Sequence, residues 1–243
     1  KEIELFVSPN TVGVASRTLL EDTLEFMECR KMVDVVIDVL PAGILPITVC
    51  VEVEPKFNSD PEVLRDRISE AIGNFGSYQN SEINKNINIS DIYFAISDIS
   101  RIKSAKVTSM FAQPFARPND LKTTPLNWVR SIPETADRKI QWRLEFTVAG
   151  FRVFKDGFFM SILPIGQKFT DEQIEFTINP GAYGNGMAWE FTSYPHTEDL
   201  DVTDNTVPVI TPISTVVKVI SSPSDPNCKP NCTDEQLKAI RGG

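Results

Sequence analysis

The chain holds one histidine, His196, and four cysteines in 243 residues. A single imidazole leaves little room for acid–base catalysis at neutral pH, since any Ser-His-Asp or Cys-His device would have to use it. His196 sits in SYPHTED, a turn-like polar segment read as a surface loop. Four cysteines are too sparse for a disulfide scaffold. Cys29 falls on a helical pattern and Cys50 in a strand pattern, where each reads as a small buried hydrophobe. Cys228 and Cys232 lie in a Pro- and Asn-rich CKPNC tail, which could close a small loop or offer two metal ligands. A structural zinc site needs four ligands, so zinc is not expected. Basic residues are also short: Lys plus Arg is 24 against 33 Asp plus Glu, a net charge of −9. Such a surface is a poor match for nucleic acid or an anionic membrane. No apolar run approaches the ~20 residues of a membrane span. No signal peptide is seen, and a start at Lys1 rather than Met points to a piece of something longer.

What is present is an ordinary globular composition, 41% hydrophobic and 23% charged. The first half reads as one α/β unit. Ile3, Leu5 and Val7 alternate with polar neighbours as in a half-buried strand. Ser16 then caps a helix to about residue 31, with Leu20, Leu24 and Met27 as its apolar stripe. Strands are expected over 35–39 and 47–53, separated by PAGILP as a turn. Asp60-Pro61 opens a second helix whose stripe is Leu64, Ile68, Ala71, Ile72 and Phe75, with Gly73 and Gly76 marking its end. Ser90 is read as the cap of a short helix over 91–98, and 101–109 as the last strand. The order is the βαββαβ of a ferredoxin-like domain, placed at residues 1–110.

The second half changes character. Residues 111–139 form a Pro-rich wrapping linker that carries Phe111, Phe115, Leu126 and Trp128, too apolar to be free. Strand-like runs at 140–148, 151–154, 158–163, 173–178, 187–193 and 215–220 are separated by turn signals and predict a small all-β domain over 140–222. A tail over 223–243 ends in a short helix. The fold class is therefore α+β.

The candidate motifs are weak. The glycines of NPGAYGNG are followed by Met187-Ala188-Trp189 and not by the Lys-Ser/Thr of a phosphate loop, so a hairpin turn is the reading. Glu198, Asp199, Asp201 and Asp204 form an acidic loop that misses the Gly and Glu of an EF-hand. Glu52 and Glu54 lie two apart on one strand face, as the wet side of a strand does. Asn88 and Asn231 stand in sequons that mean little without a secretory signal. No catalytic set, cofactor motif or metal set emerges. By contrast, Phe151, Phe154, Phe158, Phe159 and Met160 crowd ten residues, and alternation cannot bury all of them on one face.

The first 110 residues resemble baseplate-J-like proteins, the wedge subunits of contractile phage tails and related injection machines. The resemblance is carried by EIELFVSP, the helix SRTLLEDTLEFMECRK, the hairpin VVIDVLPAGILPITVCVEVEP, the helix DPEVLRDRISEAI and above all ISDIYFAISDIS. One departure is Arg101-Ile102, where the family often has Gly-Val entering the last strand. The resemblance implies a structural role without chemistry. It implies a homodimer or ring of like subunits, contacts to other wedge proteins, a place in the virion baseplate, and assembly in the host cytoplasm with Cys228 and Cys232 as free thiols. The expected interface residues are Phe111, Phe115, Trp128, Phe151, Phe154, Phe158 and Phe159. The rival readings are a carbohydrate- or ligand-binding module using Trp189, Tyr183 and Tyr194, and a hydrolase using His196 or the acidic loop.

Overall fold

The computed structural model describes residues 2–11, 13, 15–113, 138–171, 174–178, 183–195, 199–203 and 205–220, and the backbone of 117–118 and 130–131. The chain opens with β1 (Glu2–Val7), α1 (Arg17–Glu28) and β2 (Val36–Pro41). The Ser16 hydroxyl accepts the Leu19 backbone N–H at 3.2 Å, the expected N-cap. β1 and β2 pair in parallel, with Ile3 beside Ile37 and Leu5 beside Val39. Leu20, Leu24 and Met27 of α1 pack onto this two-stranded sheet. The helix stops at Cys29, whose side chain is exposed and free, so the reading of Cys29 as a buried hydrophobe does not hold.

β3 (Gly43–Pro55) follows β2 after a single residue, and 41–50 are buried throughout. The turn expected at PAGILP is therefore strand. Burial of Ile44, Leu45 and Ile47 outweighs the turn preference of Pro41 and Pro46, the latter lacking only a ladder donor. α2 (Pro61–Phe75) starts with the Asp60 carboxylate accepting the Glu62 N–H at 2.9 Å. A 3-10 turn at Tyr78–Asn80 leads to α3 (Ile89–Ile96). Its N-cap is Asn88 rather than Ser90. The Asp91 carboxylate accepts the Asn88 backbone N–H at 3.3 Å, and the Asp199 carboxylate accepts that of Ile89 at 2.7 Å. β4 (Ile102–Ala112) closes the unit.

After the short β5 (Arg117–Pro118) and β6 (Arg130–Ser131) come β7 (Ile140–Thr147), β8 (Gly150–Lys155), β9 (Phe158–Leu163), β10 (Lys168–Thr170), β11 (Ile174–Thr177), β12 (Ala188–Ser193) and β13 (Thr206–Val219). β13 is not part of a separate β domain. It runs parallel to β3, with β4 antiparallel on β3's other side. The described residues are α+β, but the first-half strands divide between the β1–β2 pair and the β13–β3–β4 sheet instead of forming one ferredoxin-like sheet. The reason is physical. Period-two alternation specifies which face of a strand is buried and says nothing about which strand lies alongside. The boundary expected at 140–222 fails at β13 because Pro208 and Pro212 mask the strand's first half. The ladder shifts register between Ile210 and Thr215, where the Thr211 N–H donates to the Ser214 hydroxyl at 2.8 Å.

One face of the β13–β3–β4 sheet packs against α2 and α3. Val49, Val51 and Val53 of β3 meet Leu64, Ile68 and Ile72 of α2 and Ile92 and Ile96 of α3. The C-terminal turn of α2 lies so close to β13 that a Cβ on Gly73 would stand 2.5 Å from Pro212 Cδ. Tyr194, Leu200 and Val202 join this same core. A second core lies between two antiparallel sheets, β5-β12-β7-β8-β9 and β10-β11-β6. Trp142, Leu144, Phe151, Val153, Trp189 and Phe191 from the larger sheet face Ile174 and Phe176 from the smaller. The Trp142 indole N–H donates to the Ser193 hydroxyl at 3.0 Å, so this buried polar atom is satisfied.

Candidate functional site

β9 is the edge of the five-stranded sheet, and its sequence, FFMSIL, contains no charge. β8 supplies its inner neighbour: Lys155 lies beside Phe158, Phe154 beside Phe159, Val153 beside Ser161 and Arg152 beside Ile162. Met160 is left without an opposite residue, which is a bulge in the edge strand. Phe158 is 77% exposed and Phe159 56%, while Met160, Ile162 and Ile165 lie between 41% and 47%. Phe154 is half-buried, with its ring 5.9 Å from that of Phe159. The Lys155 ammonium turns inward to Asp171 at 3.0 Å and lies 5.3 Å from the Trp142 ring, which leaves the charge beside Phe158 neutralised. The result is an uncharged apolar ridge that spans both faces of the edge strand: Phe159 and Ile162 share the face of Phe154 and Arg152, and Phe158 shares the opposite face with Lys155.

Of the seven expected interface residues, the structure brings Phe154, Phe158 and Phe159 to this ridge. Phe151 is fully buried between Phe146, Tyr183 and Trp189, and Phe111 is buried in β4, so neither can serve as a contact. Clustering in sequence drew Phe151 into the set, but its neighbours across the β7–β8 hairpin place it on the inner face. Phe115 and Trp128 lie outside the described residues. Ile162 and Ile165 were missed, and Met160 was counted in the apolar crowd but not among the interface residues. The signal for them was available, because a strand with no polar residue except Ser161 has no wet face.

The residues of the rival readings sit elsewhere. Trp189 and Tyr194 are buried and offer no face to a sugar ring. Tyr183 packs at 4.9 Å from Phe151, and burial pushes its phenol pKa up. His196, Glu198, Asp204, Cys228 and Cys232 lie outside the described residues. Asp199 holds the N-terminus of α3, and Asp201 lies 3.5 Å from Lys139. Glu52 pairs with Lys218 at 3.2 Å. Glu54 accepts from Lys103 at 2.5 Å and Ser104 at 3.1 Å, and these two bonds hold its carboxyl below the usual range. Both carboxylates thus occupy the wet face of the central strand β3, paired with neighbours. Among the described residues no group of three or more His, Cys, Asp or Glu side chains is placed to hold a metal. A cleft of about 330 Å³ over Arg143, Glu190, Thr192 and Asn205 is polar, and Arg143 there lies between Glu145 at 3.2 Å and Glu190 at 3.8 Å.

Cys50 departs from expectation. It is buried in the middle of β3 as read, but it is also disulfide-bonded. No helix among the described residues is long and apolar enough to cross a membrane. No protein-family model matches the chain, and no curated protein matches it.

Proposed function

We propose that this chain is a structural subunit of a contractile phage tail baseplate, a C-terminal part of a T4-type wedge protein (gene product six), acting by self-association and by contacts to other wedge proteins in the inner ring. It works by interface burial and not by chemistry. The observation that carries the reading is the uncharged apolar ridge of Phe158, Phe159, Met160 and Ile162 on a sheet edge. An exposed edge strand that carries apolar side chains and no charge marks a partner surface more often than a chance exposure. The strand–helix–strand–strand–helix–helix–strand order behind the baseplate-J-like resemblance also stands in the chain as β1, α1, β2, β3, α2, α3 and β4, although the strands divide between two sheets. Assembly in the host cytoplasm and a place in the virion follow from the same reading.

The test is immunolabelling. An antibody against the chain, applied to tailed particles from cells that make the protein, is expected to decorate the distal end of the tail. Particles left unlabelled there, with the protein recovered only in the soluble fraction, would contradict the role.

A further inference from the structure

We infer that the cleft over β7 and β12 is a binding site for a neutral saccharide, a single pyranose or the end of a short glycan. This site lies outside the assembly reading and does not rest on it, since interface burial needs no such cleft. Three observations carry it. The first is shape. β7 and β12 turn Trp142, Leu144, Trp189 and Phe191 into the second core, so alternation leaves Gln141, Arg143, Glu190 and Thr192 on the opposite face, where they form the floor of the cleft. Thr203 and Asn205, from the segment before β13, and Gly157, from the β8–β9 turn, border it. At about 330 Å³ it falls at the small end of the roughly 300–1,000 Å³ usual for ligand sites.

The second observation is the set of polar groups. Among the described residues, the Gln141 amide and the Thr203 hydroxyl have no hydrogen-bond partner. The Asn205 Oδ1 accepts the Asn84 Nδ2–H at 3.1 Å, which fixes the amide and leaves its own Nδ2 to donate. The charged side chains among the described lining residues are Arg143 and Glu190, 3.8 Å apart, and Arg143 also reaches Glu145 at 3.2 Å. The cleft therefore offers donors and acceptors without surplus charge. An anion would compete with two carboxylates for Arg143, and a cation would meet its guanidinium. Sugar hydroxyls both donate and accept, and match the set. The third observation is the aromatic pair beside the cleft. Glu190 lies beside Arg143, Arg143 beside Phe154 and Phe154 beside Phe159, one cross-strand row on one face of the sheet. Phe154 is thus one strand away from Arg143, about 5 Å. A pyranose has a polar rim and an apolar C–H face. With its hydroxyls in the cleft, that face has the Phe154 and Phe159 rings to pack on.

The experiment is a heteronuclear NMR titration of the chain with glucose, galactose, mannose and N-acetylglucosamine in turn, and with glucuronate and glucosamine as charged counterparts. A neutral sugar is expected to bind, with shifts centred on Gln141, Gly157, Thr203 and Asn205 and none in α3. Gln141→Leu and Thr203→Val should each weaken binding about 2–10-fold, the loss expected for one neutral hydrogen bond. Both side chains are exposed, so these variants keep the fold, which circular dichroism checks. Asn205 has φ +52°, a conformation that Asp also tolerates. Asn205→Asp therefore keeps the backbone and the bond from Asn84, replaces the donor with a charge, and should weaken binding at least as much. Phe154→Leu keeps an apolar side chain, removes the ring, and should also weaken it. Absence of shifts with every neutral sugar, shifts that map away from the cleft, tighter binding of glucuronate or glucosamine, or affinity unchanged in all four variants would each overturn the inference. The baseplate role is read separately, from labelling of the tail, and neither result decides the other.

Discussion

At the residue scale, three side chains carry distinct tests. Gly76 ends α2, and a Cβ there would stand 2.5 Å from the Cβ of Ile210. Gly76→Ala should therefore lower stability by about 1–3 kcal/mol, the usual cost of overpacking, measured by urea denaturation. An unchanged midpoint would mean that α2 and β13 are less tightly apposed. Glu54 gives a pH test. Its folded-state pKa is lowered by Lys103 first and Ser104 second, so the stabilisation is present above the unfolded pKa and is lost as pH falls through the folded one. The group is exposed and the effect on stability small. The expected observation is an NMR titration of the Glu54 carboxyl below the ordinary Glu range that moves upward in Lys103→Ala. Cys50 gives a redox test. Cys29 is free, so a non-reducing peptide map should recover the Cys50 peptide cross-linked, and not to the Cys29 peptide. Recovery of Cys50 as a thiol in protein purified without reductant would contradict it. Loss of a native disulfide typically costs about 2–5 kcal/mol, so reductant should lower the melting temperature. Nothing in the local sequence distinguished this cysteine from a buried hydrophobe, because VCVEV reads as a strand either way. The free thiols implied by cytoplasmic assembly concern Cys228 and Cys232, which lie outside the described residues.

At the element scale, helices were legible and pairings were not. Ser16 and Asp60-Pro61 announce α1 and α2 because a capping side chain and the apolar stripe are both local. α3 was displaced by two residues because two polar residues, Asn88 and Ser90, compete for its start. The bonds to Asp91 and to the distant Asp199 decide it. Asp199→Ala should cost about 0.5–2 kcal/mol by orphaning the Ile89 N–H, with faster amide exchange confined to the first turn of α3. A variant equal to wild type in both would remove the capping role. Most strands of the second half were also legible, since hairpin turns punctuate them. β13 was read only from Thr215 onward. Pro208 and Pro212 look like breakers, yet burial against β3 and α2 holds the strand through a register shift. The ridge was half legible: crowded phenylalanines announced an exposed surplus, while the choice of Phe158 over Phe151 depended on hairpin register.

At the scale of the whole molecule, β13 is the tie between the two ends of the chain. β3 lies between β13 and β4, and Ile210, Val217 and Val219 complete the core built by α2 and α3. A fragment ending at Gln113 would leave one edge of β3 unpaired and strip Ile68 and Ile72 of cover. It should give no cooperative unfolding transition, whereas the chain through Ile220 should. A folded 1–113 fragment would show that the first half is an independent domain after all. The interface account makes one claim that needs no mutation. Amide exchange followed by mass spectrometry, at protein concentrations spanning the dimerisation range, reads out where copies meet. The account predicts that protection rises with concentration in peptides covering Phe158–Leu163 and the loop to Ile165, and stays flat in α3. Concentration-dependent protection elsewhere, with 158–165 unchanged, would contradict it.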